Sequence, residues 1–131
     1  KEVEEGTRTD SLRARVTMEQ LLDMQSEVSR VYIHDSIYEY IVRLITATRE
    51  SKYLEMGASP RGTIALVKMA RAIAWLQGNE FVSPADVISQ FPAVVRHRIQ
   101  MNVRGRMDGM SREDIMEDIL ENVPKPLLKR K

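Results

Sequence analysis

A long helix with both of its ends marked in the sequence constrains the fold most strongly. Ser59 is a good N-cap, and Pro60 suits the first helical position because an N–H there has no intrahelical partner. Gly78 suits the left-handed residue that ends a helix. The apolar residues between these ends cover a wide arc: Ile64, Leu66, Val67, Met69, Ala70, Ile73, Ala74 and Leu76. We therefore predict a helix over residues 60–77 as the central, buried helix of the fold.

Four other segments show the i, i+3, i+4 spacing of amphipathic helices. Thr17 can cap the first, Asp35 opens the second, and Ser83 with Pro84 starts the third. Residues 111–114 resemble a capping box ahead of the fourth. The residues at this spacing, which are mostly apolar and expected to face the core, are Met18, Leu21, Leu22, Gln25 and Val28; Ile37, Tyr40, Ile41, Leu44, Ile45 and Thr48; Val87, Ile88 and Phe91; and Ile115, Met116, Ile119, Leu120 and Val123. The pattern predicts an all-α fold, a small bundle of about five helices.

Two segments are predicted to interrupt this helical pattern. Pro92 lacks a backbone donor and disfavours helical geometry at the residue before it, so we expect a helix to end there and residues 93–98 to form a separate helical turn. Residues 100–109 contain two glycines and three charged residues, and are predicted to be a loop. No alternation of apolar and polar residues predicts a strand.

Composition excludes several classes of protein. The chain has 131 residues, of which 43% are hydrophobic, and a net charge of +1, which is typical of one globular domain and gives no general argument for binding nucleic acid. It has no cysteine for a disulfide or thiolate zinc site, and its two histidines, His34 and His97, stand alone, so no metal site is expected. No apolar stretch reaches the roughly 20 residues of a membrane helix. A cytoplasmic protein without membrane insertion is expected.

Arg61 is the residue that local stability explains least. It lies in the first turn of the predicted long helix, where the helix dipole favours anions and opposes a positive charge. A bound anion would remove this conflict, and phosphate is the natural candidate. Arginine suits it because a planar guanidinium can meet two phosphate oxygens. The alternative is a surface arginine whose stem covers the helix start while its head stays in water.

The residues around Arg61 resemble the lid of MoxR-type AAA+ ATPases. The resemblance rests on residues 57–61 together with matching positions between about Met18 and Arg98. These are Gln25, Val28, Val31, Asp35, Tyr40, Ile41, Thr48, Arg49, Ala70, Arg71, Ala72, Gly78, Val82, Pro84, Ala85, Asp86, Val87, His97 and Arg98. It implies an AAA+ lid fold in which Arg61 is the sensor 2 residue and, with Ser59 and Pro60, forms the motif that meets the phosphates of a nucleotide.

The resemblance also implies a longer parent protein. Residues 1–16 would link the lid, residues 17–131, to a core ATPase domain that precedes Lys1. The implied partners are that core domain, neighbouring subunits of a ring and a client protein, and the implied cofactors are ATP and Mg. Because the chain has no Gly-x-x-x-x-Gly-Lys-Ser/Thr phosphate loop and no acidic pair for magnesium, we expect it alone to bind no cofactor tightly and to hydrolyse no ATP.

Two other functions stay open at this stage. One is a free-standing helical module that binds protein or nucleic acid, against which the charge balance counts. The other is the lid of a magnesium chelatase-type ATPase subunit.

Three other groups of residues are interpreted structurally. Thr48 and Arg49 are expected to close a helix, and residues 96–98 to form a capping or domain-contact cluster. The methionines of residues 101–110 are expected to be exposed.

Overall fold

Six α-helices form the framework of the computed structural model, which describes residues 12–127. They are α1 (Met18–Ser29), α2 (Asp35–Glu50), α3 (Pro60–Leu76), α4 (Pro84–Val95), α5 (Val103–Met107) and α6 (Arg112–Asn122). A 3-10 turn covers Arg96–Arg98, and two short strands, β1 (Leu54–Met56) and β2 (Gln100–Met101), pair antiparallel. The predicted small bundle of helices is confirmed, with six helices where about five are expected and a small sheet in addition. Most of the expected linker, residues 1–11, lies outside the described residues.

Side-chain caps fix where the helices begin, as the sequence predicts. Thr17, Ser83 and Ser111 each form a capping box, in which the hydroxyl accepts from a backbone amide three residues on and that residue's side chain accepts from the amide of the cap. Ser59 caps α3, its hydroxyl accepting from the amide of Arg61 at 3.3 Å. These local contacts satisfy amides that have no partner within the helices.

The end of α3 is also the predicted one. Gly78 has a φ of 77°, the left-handed conformation that glycine adopts without a steric penalty. Its amide donates to the carbonyl of Trp75, and the amide of Asn79 donates to the carbonyl of Ala74, the pattern of a Schellman motif. The chain therefore turns sharply at this point and enters α4 a few residues later.

The core is built around one face of α2. Its six predicted core-facing residues are all buried: Ile37, Tyr40, Ile41, Leu44, Ile45 and Thr48. This face packs against α3 and α6, and α3 packs in turn along α4. Buried residues of α4 and α6 complete the core: Val87, Phe91, Val94, Val95, Ile115, Met116 and Ile119.

The expectation that α3 is buried around a wide arc is wrong. Its buried residues form a narrow stripe: Gly62, Leu66, Ala70 and Ala74. Ile64 and Leu76 lie on other faces and are 58% and 70% exposed. The stripe faces α2 and α4, whereas the neighbour on another side, α1, has no buried residue and covers α3 only loosely. An apolar surface of α3 therefore stays open to solvent.

The expected break at Pro92 is also wrong, because α4 continues through the proline to Val95. Pro92 cannot donate to the carbonyl four residues earlier, but the residues around it are held by the core. Phe91 and Val95 are fully buried, and Val94 is nearly so. Tertiary packing outweighs the loss of one hydrogen bond, and the change of direction comes only at the turn of residues 96–98.

The segment predicted to be a loop, residues 100–109, contains β2 and α5. Asn102 organises it: its Oδ1 accepts from the amide of Gly105 at 2.8 Å, capping α5, and its Nδ2 donates to the carbonyl of Lys52 at 2.7 Å. Its own amide donates to the carbonyl of Tyr53. The loop prediction is wrong because these contacts join residues about 50 apart in sequence. Of the methionines in this region, Met107 is 80% exposed, whereas Met101 and Met110 pack on the core.

Candidate functional site

The candidate site is the start of α3, where the predicted site residues lie together. Ser59 is the N-cap, Pro60 occupies the first helical position and Arg61 follows in the first turn. All three are exposed. The guanidinium of Arg61 makes no hydrogen bond or ion pair with any residue in the range 12–127. A cation held at a helix start without an internal partner is available to an anion from outside the domain.

The loop that leads into Arg61 is fastened to the end of α2. Thr48 is fully buried, and its Oγ1 accepts a hydrogen bond from the amide of Ala58 at 2.8 Å. The same hydroxyl donates to the carbonyl of Ile45 at 2.6 Å. The sequence predicts Thr48 to face the core and to close α2, but it does not predict the bond to Ala58. A hydroxyl contact across ten residues leaves no periodic signal in a single sequence.

Two glycines allow the close packing of this loop. A Cβ on Gly57 would lie 2.5 Å from backbone atoms of Thr48 and Arg49, a distance that side chains do not reach. A Cβ on Gly62 would lie 3.2 Å from the Cβ of Ala58. The chain on both sides of Arg61 is therefore seated directly on the core, while the side chain of Arg61 itself stays exposed.

The basic cluster at residues 96–98 divides into separate roles. Arg96 pairs with Glu113 of α6 on the surface, and the hydrogen bond that Arg96 donates lowers the pKa of Glu113. The Nε of Arg98 donates to the carbonyl of Val94 at 3.1 Å, and the Arg98 stem lies beside Gly62 at the start of α3. The contacts of Arg98 join the start of α3 to the end of α4 and agree with the predicted capping role. The domain-contact role of this cluster stays a prediction.

Among residues 12–127, no three His, Asp or Glu side chains are grouped so that they could hold a metal ion. His34 caps α2, its Nδ1 accepting from the amide of Ser36 at 3.0 Å. In the same part of the chain, no helix has the length and apolarity needed to cross a bilayer.

A second open surface lies between α1 and α3. It is a groove of about 590 Å³. Its lining is mainly apolar and includes two basic residues: Leu21, Met24, Gln25, Val28, Ser29, Lys68, Arg71, Ala72, Trp75 and Leu76. Exposed apolar surface of this kind is typical of a domain that contacts another protein surface.

Comparison with known proteins identifies the domain. Residues 46–119 match the family model described as the AAA lid domain. The chain is 34% identical over 118 residues to the uncharacterized protein YeaC of Bacillus subtilis, covering 90% of this chain and 37% of that protein. It is 32% identical over 115 residues to Chaperone MoxR1 of Mycobacterium tuberculosis, covering 81% of this chain and 30% of that protein. The crystal structure of a "putative ATPase" from Cytophaga hutchinsonii aligns with a TM-score of 0.77 and 30% identity, over 83% of this chain and 36% of that one.

The matched family region includes the candidate site. The chain spans about a third of the length of the curated relatives that it matches over most of its own length. The matched family region begins inside α2 and ends inside α6, so it contains Thr48, the loop before α3 and Arg61. A further relative, Protein MoxR of Paracoccus denitrificans, is 47% identical over 49 residues. The chain therefore belongs to the AAA lid domain family, as the lid of a MoxR-type ATPase.

Proposed function

We propose that Arg61 is the sensor 2 residue of a full-length MoxR-type AAA+ ATPase and contacts the phosphates of ATP bound to a core domain of the same protein. One observation carries the proposal. The guanidinium of Arg61 is exposed in the first turn of α3 and has no partner among residues 12–127, although the helix dipole disfavours a cation there. A phosphate would supply charge-assisted hydrogen bonds to both arms of the guanidinium.

Ser59 and Pro60 serve the same site by fixing where α3 begins. The hydroxyl of Ser59 accepts a hydrogen bond from the amide of Arg61, and Pro60 has a φ already suited to the helix. In this proposal they aim Arg61 and form with it the motif that meets the phosphates. Magnesium, when bound with ATP, neutralises charge on the phosphates. Since residues 12–127 contain no cluster of three metal-ligating side chains, we assign its ligands to the core domain.

Arg61 would couple the state of the nucleotide to the position of the lid. An arginine that is bound to phosphate in one state and released in the other gives two orientations of the lid different free energies. The exposed apolar faces of α1 and α3 would then contact the core domain or a neighbouring subunit of a ring. We extend the proposal to cytoplasmic remodelling of client proteins, which the name of the Mycobacterium tuberculosis relative, Chaperone MoxR1, supports.

The length of the relatives and the MoxR names favour this function over the two alternatives left open by the sequence. YeaC and MoxR1 are each about three times as long as the matched region, which supports a lid within a longer ATPase over a free-standing module. Three relatives carry the name MoxR, which supports that family over the magnesium chelatases.

The proposal is tested by replacing Arg61 in the full-length protein that carries this lid. We expect Arg61→Ala to lower the rate of ATP hydrolysis by about 10²-fold, the usual effect of removing a charge-stabilising donor. Arg61→Lys keeps the charge but loses the planar fork, so its rate of ATP hydrolysis should lie between those of Arg61→Ala and the unaltered protein. Arg43→Ala removes another exposed arginine, on α2, and should leave the rate near that of the unaltered protein. Unchanged turnover and unchanged nucleotide affinity in Arg61→Ala would reject the assignment.

A further inference from the structure

The end of α2 and the loop before α3 are joined through a hydroxyl group that is shielded from solvent. The Oγ1 of Thr48 donates to the carbonyl of Ile45 and accepts from the amide of Ala58, at 2.6 and 2.8 Å. Thr48 and Ala58 are both fully buried. A buried amide left without an acceptor carries a desolvation penalty. The hydroxyl and the amide therefore hold each other in place.

A second contact fixes the residue next to Ala58. Gly57 lies so close to the backbone of Thr48 and Arg49 that a Cβ has no room. Two adjacent loop residues are thus seated on the last turn of α2, and Arg61 follows three residues after Ala58. The position of Arg61 on the domain surface therefore depends on how this loop packs against α2.

We propose that Thr48 is a positioning residue for Arg61, because its hydroxyl seats the loop that sets the origin of α3. This inference rests on the sensor 2 role proposed above. A donor that acts on a phosphate must be placed closely, since a displacement of about 1 Å can lower a rate by about 10²-fold. A purely structural Thr48 would instead affect the unfolding temperature of the lid and leave the chemistry of the folded protein unaltered.

The first test uses two substitutions in the full-length ATPase. Thr48→Val keeps the branched shape but removes the hydroxyl, whereas Thr48→Ser keeps the hydroxyl. We expect Val to lower kcat about 10-fold or more and Ser to restore most of the rate. Without nucleotide, deuterium uptake by residues 57–61 should rise in the Val protein and stay low in the Ser protein. Full activity and unchanged uptake in Thr48→Val would overturn the inference.

The second test asks whether Thr48 acts through Arg61. In an Arg61→Ala background, Thr48→Val should cause no further loss of kcat, because the group that it positions is already gone. Losses that multiply would mean that Thr48 acts independently and would overturn the inference. A normal rate for Arg61→Ala alone would reject the sensor 2 role itself, and the Thr48 inference would fall with it. A large effect of Arg61→Ala beside a normal Thr48→Val would reject the inference alone.

Two further variants separate positioning from stability. Ile119→Val trims a buried residue of α6 and should lower the unfolding temperature while kcat stays unchanged. Gly57→Ala leaves Thr48 intact but pushes the loop away from α2, so it should lower kcat as Thr48→Val does. If Gly57→Ala keeps the full rate, or if Ile119→Val lowers kcat as much as Thr48→Val, the positioning role is wrong.

Discussion

The indole Nε1 of Trp75 donates a hydrogen bond to the Oε2 of Glu27 at 3.0 Å, and this contact ties α3 to α1. Few other contacts do so, since α1 has no buried residue and faces α3 across an open groove. Helices held by exposed contacts open locally at a lower free energy than the core does. We therefore regard α1 as the helix most easily released from the described domain.

Replacing Trp75 with phenylalanine tests this view of α1. Trp75→Phe removes the donor to Glu27 but keeps an aromatic ring, so it should cost about 0.5 to 1.5 kcal/mol, mainly in the local opening of α1. Hydrogen exchange of α1 amides should become faster while exchange of α2 amides stays nearly the same. Equal acceleration in both helices would show instead that α1 unfolds only with the core.

Arg61 and Leu66 should differ in what they contribute to stability. Arg61→Ala removes a cation that opposes the helix dipole, so the free energy of unfolding should stay the same or rise by about 0.3 to 1 kcal/mol. Leu66→Ala empties a fully buried position on the same helix and should cost about 2 to 5 kcal/mol. Denaturant unfolding of the two variants measures both changes in the free energy of unfolding. Ile73, on the same helix, is only partly buried, so replacing it with alanine should cost less than Leu66→Ala.

Pro92 should make α4 less stable than an alanine would. A proline inside a helix is about 3 kcal/mol less favourable than alanine, and its rigidity in the unfolded chain offsets about 0.4 to 1 kcal/mol of this. We expect Pro92→Ala to stabilise the domain by about 2 to 2.6 kcal/mol in denaturant unfolding. Pro84→Ala, at the first position of the same helix, should bring no such gain. A loss of stability in Pro92→Ala would mean that packing of the ring outweighs the missing hydrogen bond.

Acid should weaken the start of α6. A hydrogen bond from Arg96 lowers the pKa of Glu113, and a hydrogen bond from the amide of Ser111 lowers the pKa of Asp114. Carboxyls with lowered pKa values stabilise the fold above their ordinary values of about 4, and this stabilisation is lost as the pH falls through the lowered values. Thermal melts between pH 7 and pH 3 should therefore show a smaller decline for Glu113→Gln with Asp114→Asn than for the unaltered chain. An identical decline would assign the acid sensitivity to other groups.

The parts of the fold that the sequence predicts correctly depend on neighbours in the chain. The caps at Thr17, Ser83 and Ser111 and the turn at Gly78 each use contacts within a few residues, so their signals are local. The buried face of α2 follows from helical periodicity. The start of α3, with Arg61 in its first turn, is predicted from the neighbouring Ser59 and Pro60.

The parts that the sequence does not predict depend on distant partners. Asn102 turns residues 100–109 into a strand and a helix by bonding to Lys52 and Tyr53, about 50 residues away. The continuation of α4 through Pro92 depends on which of its neighbours the core buries. The bond from Ala58 to Thr48 likewise requires the fold before it can form. Periodicity along one chain carries no information on such pairings.

The close contact at Gly57 leaves the loop between α2 and α3 little room to change shape. A loop that stood away from the core could deform when Arg61 is displaced, and the displacement would then not reach α2. Gly57 packs directly against the backbone of Thr48 and Arg49, on α2, the helix around which the core is built. If Arg61 has the proposed sensor 2 role, we expect a displacement at the start of α3 to be passed to α2 and the packed core, because the loop between them has no room to move toward α2.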